Sequence, residues 1–442
     1  MNAIVIAVAV VLGLSLLRVN VVIALILATF TGGLLGGLDM QQTLEAFNKG
    51  LGNGAPVALS YALLGAFAVA ISRSGVANWL SSHLLNKVSR SEEAQHKQLL
   101  LKCLLLGTLV IMAICSQNVL PIHIAFIPLI VPPLLLVMNK LKLDRRAVAC
   151  VLTFGLVTPY MFMPVGFGSI YLKDILLANL HTSGLPESEI NLMHAMALPA
   201  LGMLVGLVIA LVFSYRKPRS YDMAKTEAVE GKDDEQHSKG TLAIAGLAVV
   251  VAFILQLWLD SMVLGALAGF IVFSTSGVVK WKKADDLFTE GMKMMAAIGF
   301  IMIAAAGFAE VMRETGQINA LVTDVSDIIG NSKALGALLM LFVGLIVTMG
   351  VGSSFSTVPI IAAIFVPLAM QLGFSPMAIV CLVGTAGALG DAGSPASDST
   401  LGPTAGLNVD GQHNHIWDSV VPTFLHYNLP LLAFGWLAAM VL

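Results

Sequence analysis

The sequence predicts an all-α polytopic membrane protein built from two repeats of inverted topology. Three observations carry that prediction. Of 442 residues, 57% are apolar and only 11% charged, with a mean hydropathy of +0.88, whereas a soluble domain carries about 25% charged residues. The two halves share a collinear series of matching motifs. Their basic residues occupy opposite loops, which the positive-inside rule translates into opposite orientation.

Apolar stretches able to span or half-span a bilayer fall at 2–17, 20–38, 54–81, 98–115, 121–139, 146–161 and 192–214, and again at 241–258, 261–278, 294–312, 334–350, 358–371, 377–389 and 418–442. A full span takes about 20 apolar residues, so the shorter stretches read as half-helices or re-entrant limbs. No basic residue precedes the run Ala3 to Leu17 and no small-residue cleavage site follows it, so a removable signal peptide is not expected. Between the two sets lies a charged segment, Tyr215 to Gly240, with Arg216, Lys217, Arg219 and mixed charge up to Lys239. Lacking any apolar period, it reads as a flexible cytoplasmic loop joining a first repeat (1–214) to a second (241–442). Cys103, Cys115, Cys150 and Cys381 lie inside apolar runs and read as packing residues.

The halves match as follows. Phe67, Ala68 and Gly75 recur at the spacing of Phe308, Ala309 and Gly316. Ser116–Pro121 answers Ser354–Pro359, and Ala147, Cys150 and Pro164 answer Ala378, Cys381 and Pro395. Leu198-Pro199 answers Leu429-Pro430. The loop Asn139 to Arg146 carries Lys140, Lys142, Arg145 and Arg146, while its counterpart, Gln371 to Pro376, carries no charge. Conversely, Lys280, Lys282 and Lys283 enrich the second half where the first has only Lys49. Inverted repeats of this kind are a common transporter architecture. With the basic loops and the linker in the cytoplasm, both termini fall outside, and 98–139 and 334–371 each return to the side they entered. They read as re-entrant hairpins, although two ordinary short spans fit the charges equally well.

The polar residues concentrate at four places. The hairpin tips are Ser116-Gln117-Asn118 and Gly350 to Thr357; each is followed by a helix whose composition breaks, at Thr158 to Ser169 and at Gly387 to Thr400. Gly, Ser, Asp and Pro disfavour a helix interior, and broken backbone at membrane depth is tolerated only where protein buries it or it lines a polar cavity. The second break carries Asp391 and Asp398, and an ionisable residue at that depth is a functional-site hypothesis by default. At the matching positions the first half has Tyr160 and Phe167. Hard cations take oxygen ligands. The candidate cation set is therefore Asp391, Asp398, Ser394, Ser397 and Ser399 with the tip residues Ser353, Ser354, Ser356 and Thr357, and sodium would rest on the two aspartates. The first half offers a neutral polar wall, Ser116, Gln117, Asn118, Thr158, Pro164, Gly166 and Ser169, suited to an organic solute or to a weaker second cation site. Against this stands the plainer reading that either aspartate caps a half-helix and the serines satisfy freed carbonyls.

Elsewhere the plain readings prevail. His194 and His426 occupy roughly matching places and read as structural, His123 has no counterpart, and Glu310, Arg313 and Glu314 are spaced for an ion pair on one helix face. Met292 to Met295 reads as packing. A net charge of −2 without a basic patch gives no sign of nucleic acid. With no nucleotide loop, paired metal motif or nucleophile–base set, no enzyme and no cofactor beyond Na+ or H+ as coupling ion is expected.

The two second-half motifs, Ser353-Ser-Phe-Ser-Thr-Val-Pro359 and Gly390-Asp-Ala-Gly-Ser-Pro-Ala-Ser-Asp-Ser-Thr400, resemble those of the NhaC-type sodium/proton antiporter family, in the YuiF-type branch associated with amino-acid transport. More distantly, the serine-rich tips and Thr158-Pro-Tyr-Met-Phe-Met-Pro164 resemble divalent-anion/sodium symporters of the ion transporter superfamily. That resemblance implies a scaffold that homodimerises in the lipid bilayer and a transport domain, here about 98–180 and 334–405, that moves like an elevator. The chain departs from the symporter pattern in lacking Ser-Asn-Thr at the tips, which argues against a dicarboxylate. The expected function is Na+- or H+-coupled transport of a small organic solute, most simply an amino acid, across a bacterial inner membrane. The alternatives are Na+/H+ exchange without an organic substrate and, from another class, a non-transporting membrane scaffold.

Overall fold

A computed structural model describes residues 2–17, 19–72, 74, 95–119, 123–186, 190–230, 239–259, 261–276, 281–317, 320, 332–351, 354–395 and 397–442. Its described elements are helical, with no strand among them. In chain order they are α1 (Ala3–Leu16), α2 (Val21–Leu35), α3 (Met40–Ser72), α4 (Gln95–Ile114, continued as a π-helical turn Cys115–Val119), α5 (His123–Lys140), α6 (Arg145–Phe162) and α7 (Phe167–Thr182). There follow α8 (Leu192–Ser214), α9 (Met223–Glu230), α10 (Lys239–Leu259), α11 (Met262–Thr275) and α12 (Trp281–Glu314). The remainder are α13 (Lys333–Val351), α14 (Ser354–Gln371), α15 (Pro376–Ala388), α16 (Asp398–Leu407) and α17 (His415–Val441).

By length and composition, Gln98–Asn118, α8 and α17 can each cross a membrane, and α6 with α7 forms an apolar pair bent by 54°, the shape of a broken span or of a re-entrant loop. Two segments begin earlier than the apolar runs predict. α3 starts at Met40 and α12 at Trp281, because polar but helix-compatible residues precede each apolar run and the two long helices pack on one another. Glu310 of α12 fixes this pair through Arg313 at 2.6 Å and Lys49 at 2.8 Å, the expected same-face ion pair extended to a second helix.

Packing partners recur in matched pairs. α1 packs on α2 as α10 packs on α11; α2 packs on α12 as α11 packs on α3. α4 packs on α6 as α13 packs on α15, and α6 packs on α8 as α15 packs on α17. Small residues set the close approach. A Cβ on Gly155 would lie 2.6 Å from the Ala113 Cβ, and one on Gly344 2.5 Å from the Ala386 Cβ, the same contact with glycine and alanine exchanged between partners. The hairpin limb α5 packs across the halves on α16, and α14 packs on α12, α13 and α15 of its own half as well as on α7 of the other.

The helix starts follow their sequence signals. Asp144 caps α6 by accepting from the Arg146 amide, and Ser375 caps α15 with Pro376 in its first turn. Ser397 caps α16 by accepting from the Ser399 amide.

The linker departs from expectation over residues 215–230. Instead of a free loop it is docked, with α9 against α5. The cause is a set of partners distant in sequence. Arg145, fully buried, makes a two-pronged bond to Asp410 (2.7 and 2.6 Å) and a third to the Leu407 carbonyl. Tyr221 of the linker lies 4.3 Å from that guanidinium, and Thr226 donates to Asp410 at 2.8 Å. Arg219 reaches Asp418 at 2.8 Å. Burial alone would raise the Asp410 carboxyl, but the Arg145 bonds outweigh it and bring the group down to about 2. The rest of the predicted loop, 231–238, lies outside the described residues.

Candidate functional site

Both breaks fall where composition places them. α6 ends at Phe162 and α7 begins at Phe167; α15 ends at Ala388 and α16 begins at Asp398. Each hairpin tip rests on the break of its own half. In the first half, Asn118 holds the joint twice. Its side-chain oxygen accepts from the Gly168 amide at 2.9 Å, and its carbonyl lies 1.7 Å from where a Cβ on Gly166 would stand. Gly166 also has φ +63°, so only glycine fits there. In the second half, Ser394 donates to the Met349 carbonyl at 3.1 Å, and Thr348 donates to the Ala386 carbonyl at 3.0 Å.

The second break places Asp391 at the centre. The side chain is buried, 7% exposed, and accepts hydrogen bonds from four hydroxyls. Tyr160 and Ser397 make close bonds, one to each oxygen. Ser354 and Ser399 stand at 3.4 Å, and the Tyr160 and Ser354 hydroxyls are 3.0 Å apart. Among the described residues no Lys, Arg or His pairs with this carboxylate. A buried carboxylate without a positive partner is costly, and four hydroxyl donors lower that cost without cancelling the charge. The arrangement is an oxygen-lined cage that accepts a proton or a hard cation.

Of the predicted cation set, Ser354, Ser397 and Ser399 join this cage. Asp398 does not: its side chain is exposed, in the first turn of α16, where a carboxylate favours the helix dipole. That geometry fits the plainer helix-end reading. Ser394 turns to the Met349 carbonyl, and Thr357 is buried one turn into α14. Ser353 lies outside the described residues, as does the side chain of Ser356.

Tyr160 is the residue that sequence reasoning missed, although its register matched Asp391. It is fully buried and reaches across the halves to the carboxylate. Its ring packs edge-on against Tyr171 (4.9 Å) and Phe167 (6.0 Å), and Phe355 of the second tip lies 4.7 Å from Phe167. The first half therefore answers the two aspartates with an aromatic wall that carries a single hydroxyl into the cage. Thr153 adds a further cross-half bond, donating to the Ser399 carbonyl at 2.8 Å.

The first-half set is brought to the joint between tip and break. Gln117 and Thr158 are 4% and 9% exposed, and the Gln117 Oε1 and Thr158 Oγ1 atoms have no hydrogen-bond partner among the described residues. Ser116 bonds back to the Ala113 carbonyl at 3.1 Å, while Pro164 and Ser169 are half-buried. Asn428 of α17 was also missed. It is fully buried with both amide atoms unpartnered, and its Nδ2 would lie 2.9 Å from a Cβ on Gly393 in the second break. His426 is structural as expected, held between the Pro422 carbonyl and Ser214.

The chain is similar to known membrane proteins. Residues 151–436 match the Na+/H+ antiporter family, and residues 2–88 match a second family of the same description, the Na+-H+ antiporter family. A Vibrio parahaemolyticus membrane protein is 56% identical over the whole of both chains. A Bacillus subtilis protein that bears the name "Putative amino acid transporter YuiF" is 51% identical, again over the whole of both chains. Among solved structures, the YdaH transporter of Alcanivorax borkumensis superposes with a TM-score of 0.56 at 17% identity, over 91% of this chain and 89% of its own. MtrF of Neisseria gonorrhoeae, described as one of a class of antimetabolite efflux pumps, gives 0.55 at 14% identity over 90% and 84%. At such identities the likeness establishes the fold.

Proposed function

Because the chain belongs to the NhaC-type Na+/H+ antiporter family, whose relatives and structural neighbours are transporters and not enzymes, we propose that it is a Na+- or H+-coupled carrier of a small organic solute, an amino acid, in a bacterial inner membrane. The observation that carries the coupling half of this reading is Asp391, a buried carboxylate ringed by hydroxyls and lacking a fixed positive partner. Its missing charge is supplied by the transported ion. The solute half rests on the first-half joint, where Gln117 and Thr158 hold unpartnered polar atoms and no carboxylate stands. The name borne by the Bacillus subtilis relative points to the same solute class.

In this mechanism the ion binds at Asp391, Ser397, Ser399 and Ser354, and the second tip is drawn onto the broken helix. Tyr160 and the aromatic wall pass that closure to the first-half pocket, because Tyr160 touches the carboxylate at one end and Tyr171 and Phe167 at the other. With its charge neutralised, the assembly of hairpins and broken helices crosses the membrane past α1–α3 and α10–α12, which serve as the dimeric scaffold. The matched packing partners of the two halves support a repeat and their opposed basic loops support its inversion, with 1–214 and 241–442 as its units and about 98–180 and 334–405 as the moving part. A second reading, Na+/H+ exchange without a solute, is favoured by the family itself and needs only the Asp391 cage.

Purified protein in liposomes with an internal pH dye and an imposed sodium gradient separates the two, run with and without mixed amino acids. Coupled transport predicts no proton or sodium movement until a solute is present. Proton movement driven by sodium alone establishes exchange and overturns the solute reading.

A further inference from the structure

One buried amide outside both hairpins and both broken helices is aimed at the first-half joint. Gln256 lies in α10 within Ala252-Phe-Ile-Leu-Gln-Leu-Trp-Leu259, a run otherwise without a polar side chain. It is 7% exposed. The approach of α11 is close on one flank, since a Cβ on Gly265 would stand 2.8 Å from the Gln256 Cβ. On the other side its amide nitrogen lies 3.6 Å from where a Cβ on Gly166 would be. Gly166 lies beneath the Asn118 carbonyl, so this amide reaches the joint where the tip, the break and the start of α7 converge.

At a position 7% exposed within an apolar run, packing alone would favour leucine over an amide. In the tip and in the helix before the break, the buried Gln117 Oε1 and Thr158 Oγ1 atoms have no hydrogen-bond partner among the described residues. None of Gln256, Gln117, Thr158 and Gly166 carries a charge; Gln256 and Gly166 meet at the N-terminal end of α7, and Gln117 and Thr158 belong to the tip and to the helix before the break. Oxygen acceptors suit an ammonium group, while amide donors and a helix N-terminus suit a carboxylate. We propose that Gln256 contacts the solute and determines specificity, its amide closing the first-half pocket over the zwitterionic head of an amino acid. This rests on the amino-acid carrier reading above. It adds that the solute is held between the hairpin assembly and α10, not by the hairpins alone, and that a dianionic solute is excluded because no fixed positive charge stands in the set.

The test uses the full chain in liposomes with a sodium gradient and radiolabelled L-amino acids, first mixed and then singly. Sodium-induced thermal stabilisation is followed in parallel. Gln256→Leu is expected to raise the KM of the transported acid about tenfold, as loss of a hydrogen bond to a charged group does, while the sodium-induced shift stays at the wild-type value. Gln256→Asn, which keeps the amide on a shorter stem, is expected to rescue part of the affinity and to alter the order of preference among the acids. Gln256→Glu, facing a carboxylate, is expected to lose more than Gln256→Leu. If all three variants keep wild-type KM and preference, Gln256 does not touch the solute and this inference fails alone. If the wild-type protein moves no amino acid at all, the carrier reading and this inference fail together.

Discussion

The break at 163–166 and the break at 389–397 interrupt equivalent helices under equivalent hairpin tips, but they are closed by different chemistry. In the first, a glycine with positive φ lies under the Asn118 carbonyl and an aromatic wall fills the space. In the second, a longer gap of Gly, Ser and Pro holds a carboxylate among four hydroxyls. The difference teaches that matched breaks can be closed by unlike chemistry, and the proposed function divides its labour between them. Neutral donors and acceptors with apolar rings suit an organic solute, whereas a lone buried charge suits an ion. Tyr160 joins the two by standing where the second half has its aspartate.

The largest test of that division is Asp391→Asn. It keeps the shape and removes the charge, so sodium-dependent transport in liposomes is expected to fall more than a hundredfold. Without sodium, the variant should melt higher than wild type, since a buried unpaired charge is gone. A variant that transports normally would make the two breaks equivalent after all. Next comes Gly166→Ala, which forces a Cβ to within 1.7 Å of the Asn118 carbonyl at φ +63°. It should abolish solute uptake and lower the melting temperature, while Gly402→Ala, with nothing within 4 Å, should be silent in both assays.

The third test addresses what holds the two broken helices together at their far ends. Arg145 starts α6 and bonds the Leu407 carbonyl at the end of α16 as well as Asp410. Asp410→Ala strands a buried guanidinium and should cost about 3–5 kcal/mol, read by denaturant or thermal melts. The same contact sets an acid limit. Asp410 titrates near 2 in the fold, below its unfolded value of about 3.9. Its contribution is therefore full above about pH 4 and lost as pH falls toward 2. Burial holds the neighbouring His413 down to about 4, so its contribution fades between about pH 6.5 and 4. Stability measured from pH 7 downward should fall in two stages, and Asp410→Ala should remove the lower one. The smallest expected effect is that of Tyr160→Phe. It leaves the rings packed but removes one donor from Asp391, and should raise the sodium concentration for half-maximal transport about tenfold.

Composition alone disclosed the helical membrane class and the positions of both breaks, because Gly, Ser, Asp and Pro cannot continue a helix. It also disclosed Asp391, whose charge is conspicuous at membrane depth. Tyr160 stayed hidden because a tyrosine in an apolar run reads as packing, and only its register against Asp391 marked it. Asn428 and Gln256 are single amides whose targets lie 35 and 90 residues away in the chain, a separation that no local pattern encodes. The linker was misread for the same reason. Its alternating charges resemble a solvated loop, but Arg219 and Tyr221 find Asp418 and Arg145 only when the fold brings them together. The early starts of α3 and α12 were lost because hydropathy ends where polar residues begin, while a helix continues as long as a partner packs against it.

The most direct measurement is sodium binding itself. Purified wild-type protein and Asp391→Asn are titrated with radioactive sodium at several pH values. The wild type should bind saturably, with protons competing for the same site, and the variant should show no saturable binding at any pH. Equal sodium affinity in the two proteins would contradict the assignment of the coupling ion to the second break.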